Sequence, residues 1–121
     1  MESNLERHTG HVILRVGGDL RVWGKRDEEC RLLNLLRAEE SLPGQLVLNM
    51  AEIRHIDTAG ICELVRVIVE CTKRSIDLKL VMPRGVPGEA LRRLHIFDAW
   101  REFQEESAAA QAAAAAASGG A

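Results

Sequence analysis

The chain has 121 residues, of which 46% are hydrophobic and 28% are charged, and its formal net charge is −2 at pH 7. This length and composition are typical of one globular domain with its own core. A slightly acidic chain with two Trp, two Phe and no Tyr lacks the basic face and the stacking aromatics of a nucleic-acid-binding protein, so no direct contact with nucleic acid is expected. We see no secretory signal and no apolar run long enough to cross a bilayer, which predicts a cytoplasmic protein without membrane insertion.

The first strands are predicted from an alternation of apolar and polar residues. The alternation runs through residues 11–16 and resumes at 20–23, and Gly17-Gly18-Asp19 between them is typical of a turn. We therefore predict an antiparallel hairpin. Residues 1–9 are predicted to be a polar segment that precedes the domain.

The rest of the chain alternates helices with strands. The pattern predicts an amphipathic helix at residues 25–40, a buried strand at 45–50, a helix at 58–73, a strand at 77–82, a short helix at 89–95 and an edge strand at 100–103. Strands joined through helices pair in parallel. The predicted fold is α/β (α+β by stricter counting), with a single mixed sheet, an N-terminal hairpin and about four helices packed on it.

The domain is expected to span residues 10–107 and to be followed by an alanine-rich tail at 108–121. Alanine has the highest helix propensity, so the tail should continue the last helix. Its methyl groups offer little to a core, so we expect the end of the tail to fray or be disordered.

The cysteines and histidines form no metal-binding or redox pattern. Cys30, Cys62 and Cys71 lie far from any CxxC spacing, and His8 with His11 makes only a pair. We expect reduced and mainly buried thiols, no metal and no cofactor.

The start of the helix at 58–73 is the strongest candidate site. Asp57 and Thr58 have side-chain oxygens that can accept from the free N–H groups of a helix start. Ala59 and Gly60 follow and leave the Thr58 hydroxyl unshielded. A small hydroxyl at the positive end of a helix is a suitable place for a phosphate, although residue types alone favour a simple helix cap.

These residues resemble the signature of STAS domains, the family of anti-sigma-factor antagonists. In that signature an apolar strand ends in Asp or Asn, here Asn49, and Asp-[Ser/Thr]-[Ser/Thr/Ala]-Gly opens a helix, here Asp57-Thr58-Ala59-Gly60. Gly18-Asp19-Leu20 stands where the family has a Gly-Glu-Leu turn, and residues 91–97 resemble its late Leu-x-x-Leu segment. The resemblance covers roughly residues 10 to 115.

The resemblance implies a regulatory binding module in a partner-switching signalling system. In such systems an anti-sigma factor, which is also a serine-threonine protein kinase of small ATPase fold, phosphorylates the antagonist, and a phosphatase resets it. By position the phosphoacceptor is Thr58. The implied partner-binding residues are Asp57, Thr58, Ala59, Gly60, Arg21 and Glu63.

Arg21 departs from the family, which often has an Asp near the acceptor at this point. A basic residue there can pair with a phosphate rather than assist its transfer. The alternative is a STAS-type cytoplasmic accessory subunit that binds the ATPase of an ABC phospholipid transporter. Thr58 would then be contact surface, without phosphorylation.

Catalysis is not expected. His55, Asp57 and Thr58 are sequence neighbours, whereas the members of a catalytic triad normally come from separate segments that meet in space. The chain also lacks a nucleophile elbow, a Walker motif and a dinucleotide fingerprint. The sequence therefore predicts a protein that is not an enzyme.

Overall fold

The structure is a computed structural model that describes residues 2–20 and 31–119. Its elements are β1 (Glu2–His8), β2 (His11–Leu20), α1 (Arg31–Arg37), β3 (Gln45–Ile56), α2 (Thr58–Lys73), β4 (Asp77–Val81), α3 (Val86–Arg93), β5 (Arg101–Phe103) and α4 (Glu106–Gly119).

The five strands form one mixed sheet in the order in which they follow along the chain. β1 is antiparallel to β2, with Glu2 opposite Gly17 and His8 opposite His11. The pairs β2–β3, β3–β4 and β4–β5 are all parallel, as expected where helices connect the strands. The predicted fold class, with its N-terminal hairpin, is confirmed.

The hairpin is made of other residues than predicted. Its turn is Thr9-Gly10, where Gly10 has a φ of 83°, and β2 continues through Gly17 and Gly18. A Cβ on Gly17 would lie 2.9 Å from the Cβ of Glu52 in β3, so this glycine serves a close approach of two strands, not a turn. Residues 21–23 of the predicted second strand lie outside the described residues.

Other boundaries also differ from the prediction. β3 extends six residues beyond the predicted strand end, to Ile56, because its last part pairs with the end of β2, where Leu20 lies opposite Ile56. This pairing brings the chain directly to Asp57. Of the helix predicted at 25–40, residues 25–30 lie outside the described residues, and α1 ends at Arg37.

One face of the sheet carries the large core. α1, α2 and α3 cover it, and alternate residues of β2 such as Val12 and Leu14 point into it. The branched side chains that meet there are almost all fully buried. This packing fixes α2, and with it the candidate site, on the sheet.

The opposite face is covered by α4, so the tail continues the last helix as predicted, but the expectation that its methyl groups offer little to a core was wrong. Ala109 and Ala113 are fully buried against Ile13, Val47 and Val81, and the helix continues to Gly119. Small methyl groups let a helix approach a sheet closely. A helix face made only of alanines can therefore still pack against the sheet. Within the two described segments, no helix is both long and apolar enough to cross a membrane.

Candidate functional site: the start of helix α2

Asp57 caps α2. Its backbone is extended (φ −108°, ψ 178°), and its Oδ1 accepts a hydrogen bond of 2.7 Å from the backbone N–H of Gly60. Its carbonyl oxygen accepts from the N–H of Ile61 at 3.0 Å. Satisfying a free N–H of the first turn in this way stabilises a helix by about 1 kcal/mol. The helix therefore begins at a defined residue, Thr58.

The helix start is fastened to the end of β2. The N–H of Asp57 donates to the carbonyl oxygen of Leu20 at 3.2 Å. Gly60 is packed against the same peptide group, since a Cβ on Gly60 would lie only 2.1 Å from the Leu20 oxygen. Any other residue at position 60 must move the helix away from the strand. The glycine holds the site in place.

Thr58 is exposed at the first residue of α2, and Ala59 beside it is half-buried. The Thr58 side chain thus lies at the end of the helix where unpaired N–H groups and the helix dipole favour negative charge. Of the six predicted partner-binding residues, Asp57, Thr58 and Ala59 are at least partly exposed here, whereas Gly60 is buried against Leu20 and supports them from below. Phosphorylation of Thr58 stays a prediction.

The charged residues around Thr58 are mixed in sign. Asp57 is half-buried, and Asp19 at the end of β2 is exposed and lies opposite His55 in the β2–β3 ladder. His55 and Arg54 are exposed at the end of β3. Arg21, the residue that departs from the family pattern, lies outside the described residues. The Asp57 carboxylate, on the residue before Thr58, would add to the negative charge of a phosphate.

Glu63 does not belong to this surface, so its prediction as a partner-binding residue was wrong. Its side chain is fully buried, and its Oε1 accepts from the backbone N–H of Leu32 in α1 at 2.8 Å. The helical spacing in the sequence could have indicated this burial. Glu63 is one turn from Gly60 and one turn from Val67, and both of these residues are on the buried side of α2. Glu63 fixes α1 against α2 rather than meeting a partner.

The cysteines that the structure describes differ in exposure. Cys71 is buried in the core, and its burial raises the pKa of its thiol to about 11, so the thiolate is absent at neutral pH. Cys62 is exposed on α2, against the expectation of a buried thiol. Cys30 lies outside the described residues. In residues 2–20 and 31–119 no group of three or more Cys, His, Asp or Glu side chains is arranged to hold a metal ion.

Two open cavities that sequence reasoning missed lie beside α3, where β4 and β5 end. They have volumes of about 380 and 440 Å³, and Met82, Arg92 and Glu102 line both of them. Arg92 Nη2 lies 2.9 Å from Glu102 Oε1, so the two charges neutralise each other between the cavities. The cavities involve none of the predicted site residues, and no motif in the sequence marks them.

The structure presents an exposed helix start that is held firmly on a mixed sheet. The sequence profile of the STAS domain matches residues 2–110, so the chain belongs to the STAS domain family. The match includes β1, which was predicted to precede the domain. A search of curated proteins gave no significant match. STAS domains are generally non-catalytic binding modules, and the capping role of Asp57 fits such a module.

Proposed function

We propose that this protein is an anti-sigma-factor antagonist whose binding is controlled by phosphorylation of Thr58. The partner is an anti-sigma factor with the activity and small ATPase fold of a serine-threonine kinase, and a phosphatase resets the switch. The unphosphorylated protein binds the kinase and releases the sigma factor, so it regulates transcription without touching DNA. The observation that carries this proposal is the exposed Thr58 at the first residue of a helix that Asp57 caps and Gly60 holds on the sheet.

The helix start suits a phosphate without refolding. A phosphate adds about −1.5 to −2 charges, and the N-terminus of a helix stabilises negative charge. Asp57 already occupies the N–H of Gly60, so the phosphate would stand beside a fixed carboxylate. An interface that buried this group would have to desolvate two negative charges, which costs several kcal/mol when no cation faces them. Charge alone can therefore turn binding off.

One feature favours a second candidate, a permanent accessory subunit on the ATPase of an ABC phospholipid transporter. α2 exposes Val65 and Val69 on the same side of the helix as Thr58. Exposed apolar side chains beside a site are typical of lasting interfaces, which are more hydrophobic than transient ones. In this candidate Thr58 is contact surface and is never modified.

The test combines the mass of the native protein with the identity of its partner. The protein is purified from its own cells with phosphatase inhibitors, its intact mass is measured and any phosphate is assigned by peptide sequencing, with Thr58→Ala as the control. Partners are captured by cross-linking and identified. A phosphate on Thr58 and a small ATPase-fold kinase are expected. Unmodified Thr58 together with a transporter ATPase would contradict the switch and support the second candidate.

A further inference from the structure

The two edge strands of the sheet differ in length. β5 offers only three residues, Arg101–Phe103, whereas β1 offers seven, Glu2–His8. Among the described residues, no strand pairs with the outer edge of either one. The backbone N–H and C=O groups along such an edge can bond to a strand of another chain. β1 therefore presents the longer row of backbone groups for such pairing.

The register of the β1–β2 hairpin fixes which residues of β1 direct their backbone groups outward. The turn has two residues, so His8 and His11 form the hydrogen-bonded pair that closes it. Bonded and non-bonded pairs alternate along an antiparallel ladder. The even-numbered residues of β1 therefore bond to β2, and the outward N–H and C=O groups belong to Ser3, Leu5 and Arg7.

The charged side chains near the middle of β1 are engaged within the protein. Charges on an edge strand usually prevent its pairing with another chain. Here Arg7 Nη1 donates to Glu39 Oε2 at 2.9 Å and to the carbonyl oxygen of Ser41 at 3.1 Å. Glu6 Oε1 accepts from Arg15 Nη1 at 3.2 Å. Because each charge is balanced inside its own chain, these residues oppose an incoming strand only weakly.

The sequence of β1 is complementary to its own copy in one register. Two identical edges related by a twofold axis perpendicular to the sheet run antiparallel, and with Leu5 on the axis all three outward residues form bonded pairs. This register opposes no like charges, since it pairs Glu2 with His8, Ser3 with Arg7, Asn4 with Glu6 and Leu5 with its own copy.

Other registers with the same bonding pattern lose this match. A shift of two residues in one direction would place Glu2 opposite Glu6 of the second copy, and a shift in the other direction would place Glu6 opposite itself. Like charges directly opposite each other destabilise a sheet. Leu5 is half-buried at the margin of the large core, so the contact of two Leu5 side chains adds apolar burial.

We propose that β1 is a dimerisation edge, which pairs with β1 of a second copy of this chain about a twofold axis at Leu5. The two five-stranded sheets then join into one continuous sheet. A strand of another protein would have to supply the matching charges, whereas a second copy carries them in its own sequence. Since the pairing uses the long edge of both copies, the assembly closes as a dimer.

Cross-linking tests the register. Leu5→Cys would bring two cysteines together on the axis, where the Cα atoms of a bonded pair are about 5.5 Å apart, a distance that suits a disulfide. Ser3→Cys is the matched control, because its own copy would lie about 13 Å away along the strands. Both are made in Cys62→Ser protein, since Cys62 is exposed. We expect a covalent dimer for Leu5→Cys and none for Ser3→Cys after mild oxidation.

Sedimentation equilibrium measures the strength of the dimer. Ser3→Glu adds an attraction to Arg7 of the second copy and Ser3→Arg adds a repulsion, and the symmetry makes each change count twice. We expect the dissociation constant to fall roughly fivefold for Ser3→Glu and to rise roughly fivefold for Ser3→Arg. The same two substitutions at Ser107, which is exposed on α4, should change nothing. Circular dichroism checks that each variant is folded.

Several outcomes would overturn the dimerisation edge. These are a wild-type protein that stays monomeric at the highest concentration reached, equal cross-linking of Leu5→Cys and Ser3→Cys, and equal responses to Glu and Arg at position 3. Association beyond the dimer would also contradict it, because the proposed pairing closes. None of these results would alter the mass measurement on Thr58, so this proposal and the proposed function fail separately.

Discussion

The two faces of the sheet are packed by different means. On the α1–α2–α3 face, large branched side chains interdigitate in a thick core. On the α4 face, alanines lie directly on Ile13, Val47 and Val81, and a polar cluster completes the contact. In this cluster Glu106 accepts from Arg15 Nε at 2.6 Å and from Asn49 Nδ2 at 3.0 Å. Packing on the first face depends on the volume of large side chains. Packing on the second face depends on the close approach of α4 to the sheet and on the charged contacts of Glu106.

Truncating a large side chain on the α1–α2–α3 face should lower the stability of the protein more than any other change considered. Leu64 is fully buried on α2, so Leu64→Ala should lower the free energy of unfolding by about 3 kcal/mol, as a cavity in a large core does. Urea titration followed by circular dichroism measures it. Val65→Ala, on the next and partly exposed residue, is the control and should cost far less. Equal losses would mean that α2 is not anchored by this core.

Adding a side chain at the start of α2 should lower the stability of the protein nearly as much as Leu64→Ala. Gly60→Val would push Cβ into the Leu20 carbonyl, 2.1 Å away, and should cost about 2 to 3 kcal/mol. Gly44→Val is the control for the substitution itself, since nothing lies within 4 Å of a Cβ at Gly44. An unchanged melting temperature for Gly60→Val would show that α2 does not touch β2 at this point.

The packing of α4 on the other face should be weakened by the opposite change, the enlargement of a buried side chain. Ala113→Leu should lower the free energy of unfolding by about 1 to 3 kcal/mol, because the larger side chain separates α4 from the sheet. Ala115 is exposed on the same helix, so Ala115→Leu should change stability little. If Ala113→Leu were tolerated as well as Ala115→Leu, α4 would not be seated on the sheet.

The charged anchor of α4 should give a small, pH-dependent effect. The hydrogen bond from Arg15 is the main cause that holds the pKa of Glu106 below its ordinary value of 4.5, with Asn49 adding to it and burial opposing it. A carboxylate whose pKa is lower in the folded state stabilises the fold above the unfolded-state pKa, and this contribution is lost as the pH falls through the folded-state pKa.

Glu106→Gln should therefore be less stable than wild type at pH 7, and the difference should shrink as the pH falls below 4.5. Thermal melts across this range measure it. The matched control is Glu105→Gln, on an exposed neighbour whose carboxylate accepts a hydrogen bond from the Ser107 hydroxyl at 3.0 Å. A difference that is constant with pH would contradict the role of the Glu106 charge.

The difference between the two faces also explains why the sequence predicted α2 well and the packing of α4 poorly. The bounds of α2 were predicted correctly because two independent signals agree there, a capping residue at Asp57 and an apolar stripe of helical period. For α4 the same kind of signal is absent, since a run of alanines has no apolar side to distinguish. The burial of Ala113 depends on the sheet beneath it, which local sequence does not describe.

Long-range pairing accounts for the other errors. β1 is an exposed edge strand with many charged residues, and only its partner β2 gives it an extended conformation. Glu63 was included among the partner-binding residues that the family resemblance implies, but its side chain is buried and accepts from the N–H of Leu32 in another helix. Asp57 is the candidate-site residue whose observed role is set by the local chain, since it caps the helix that follows it, whereas the close contact of Gly60 with Leu20 is long-range.

The central claim is that charge at Thr58 controls binding without changing the fold. Its most direct test is calorimetric titration of wild type, Thr58→Glu and the uncharged Thr58→Gln against the purified native partner, with circular dichroism of each variant. We expect all three to be folded, Thr58→Gln to bind within a few fold of wild type, and Thr58→Glu to bind at least a hundredfold more weakly, a loss of about 3 kcal/mol. Equal affinities for Thr58→Glu and Thr58→Gln would contradict the claim.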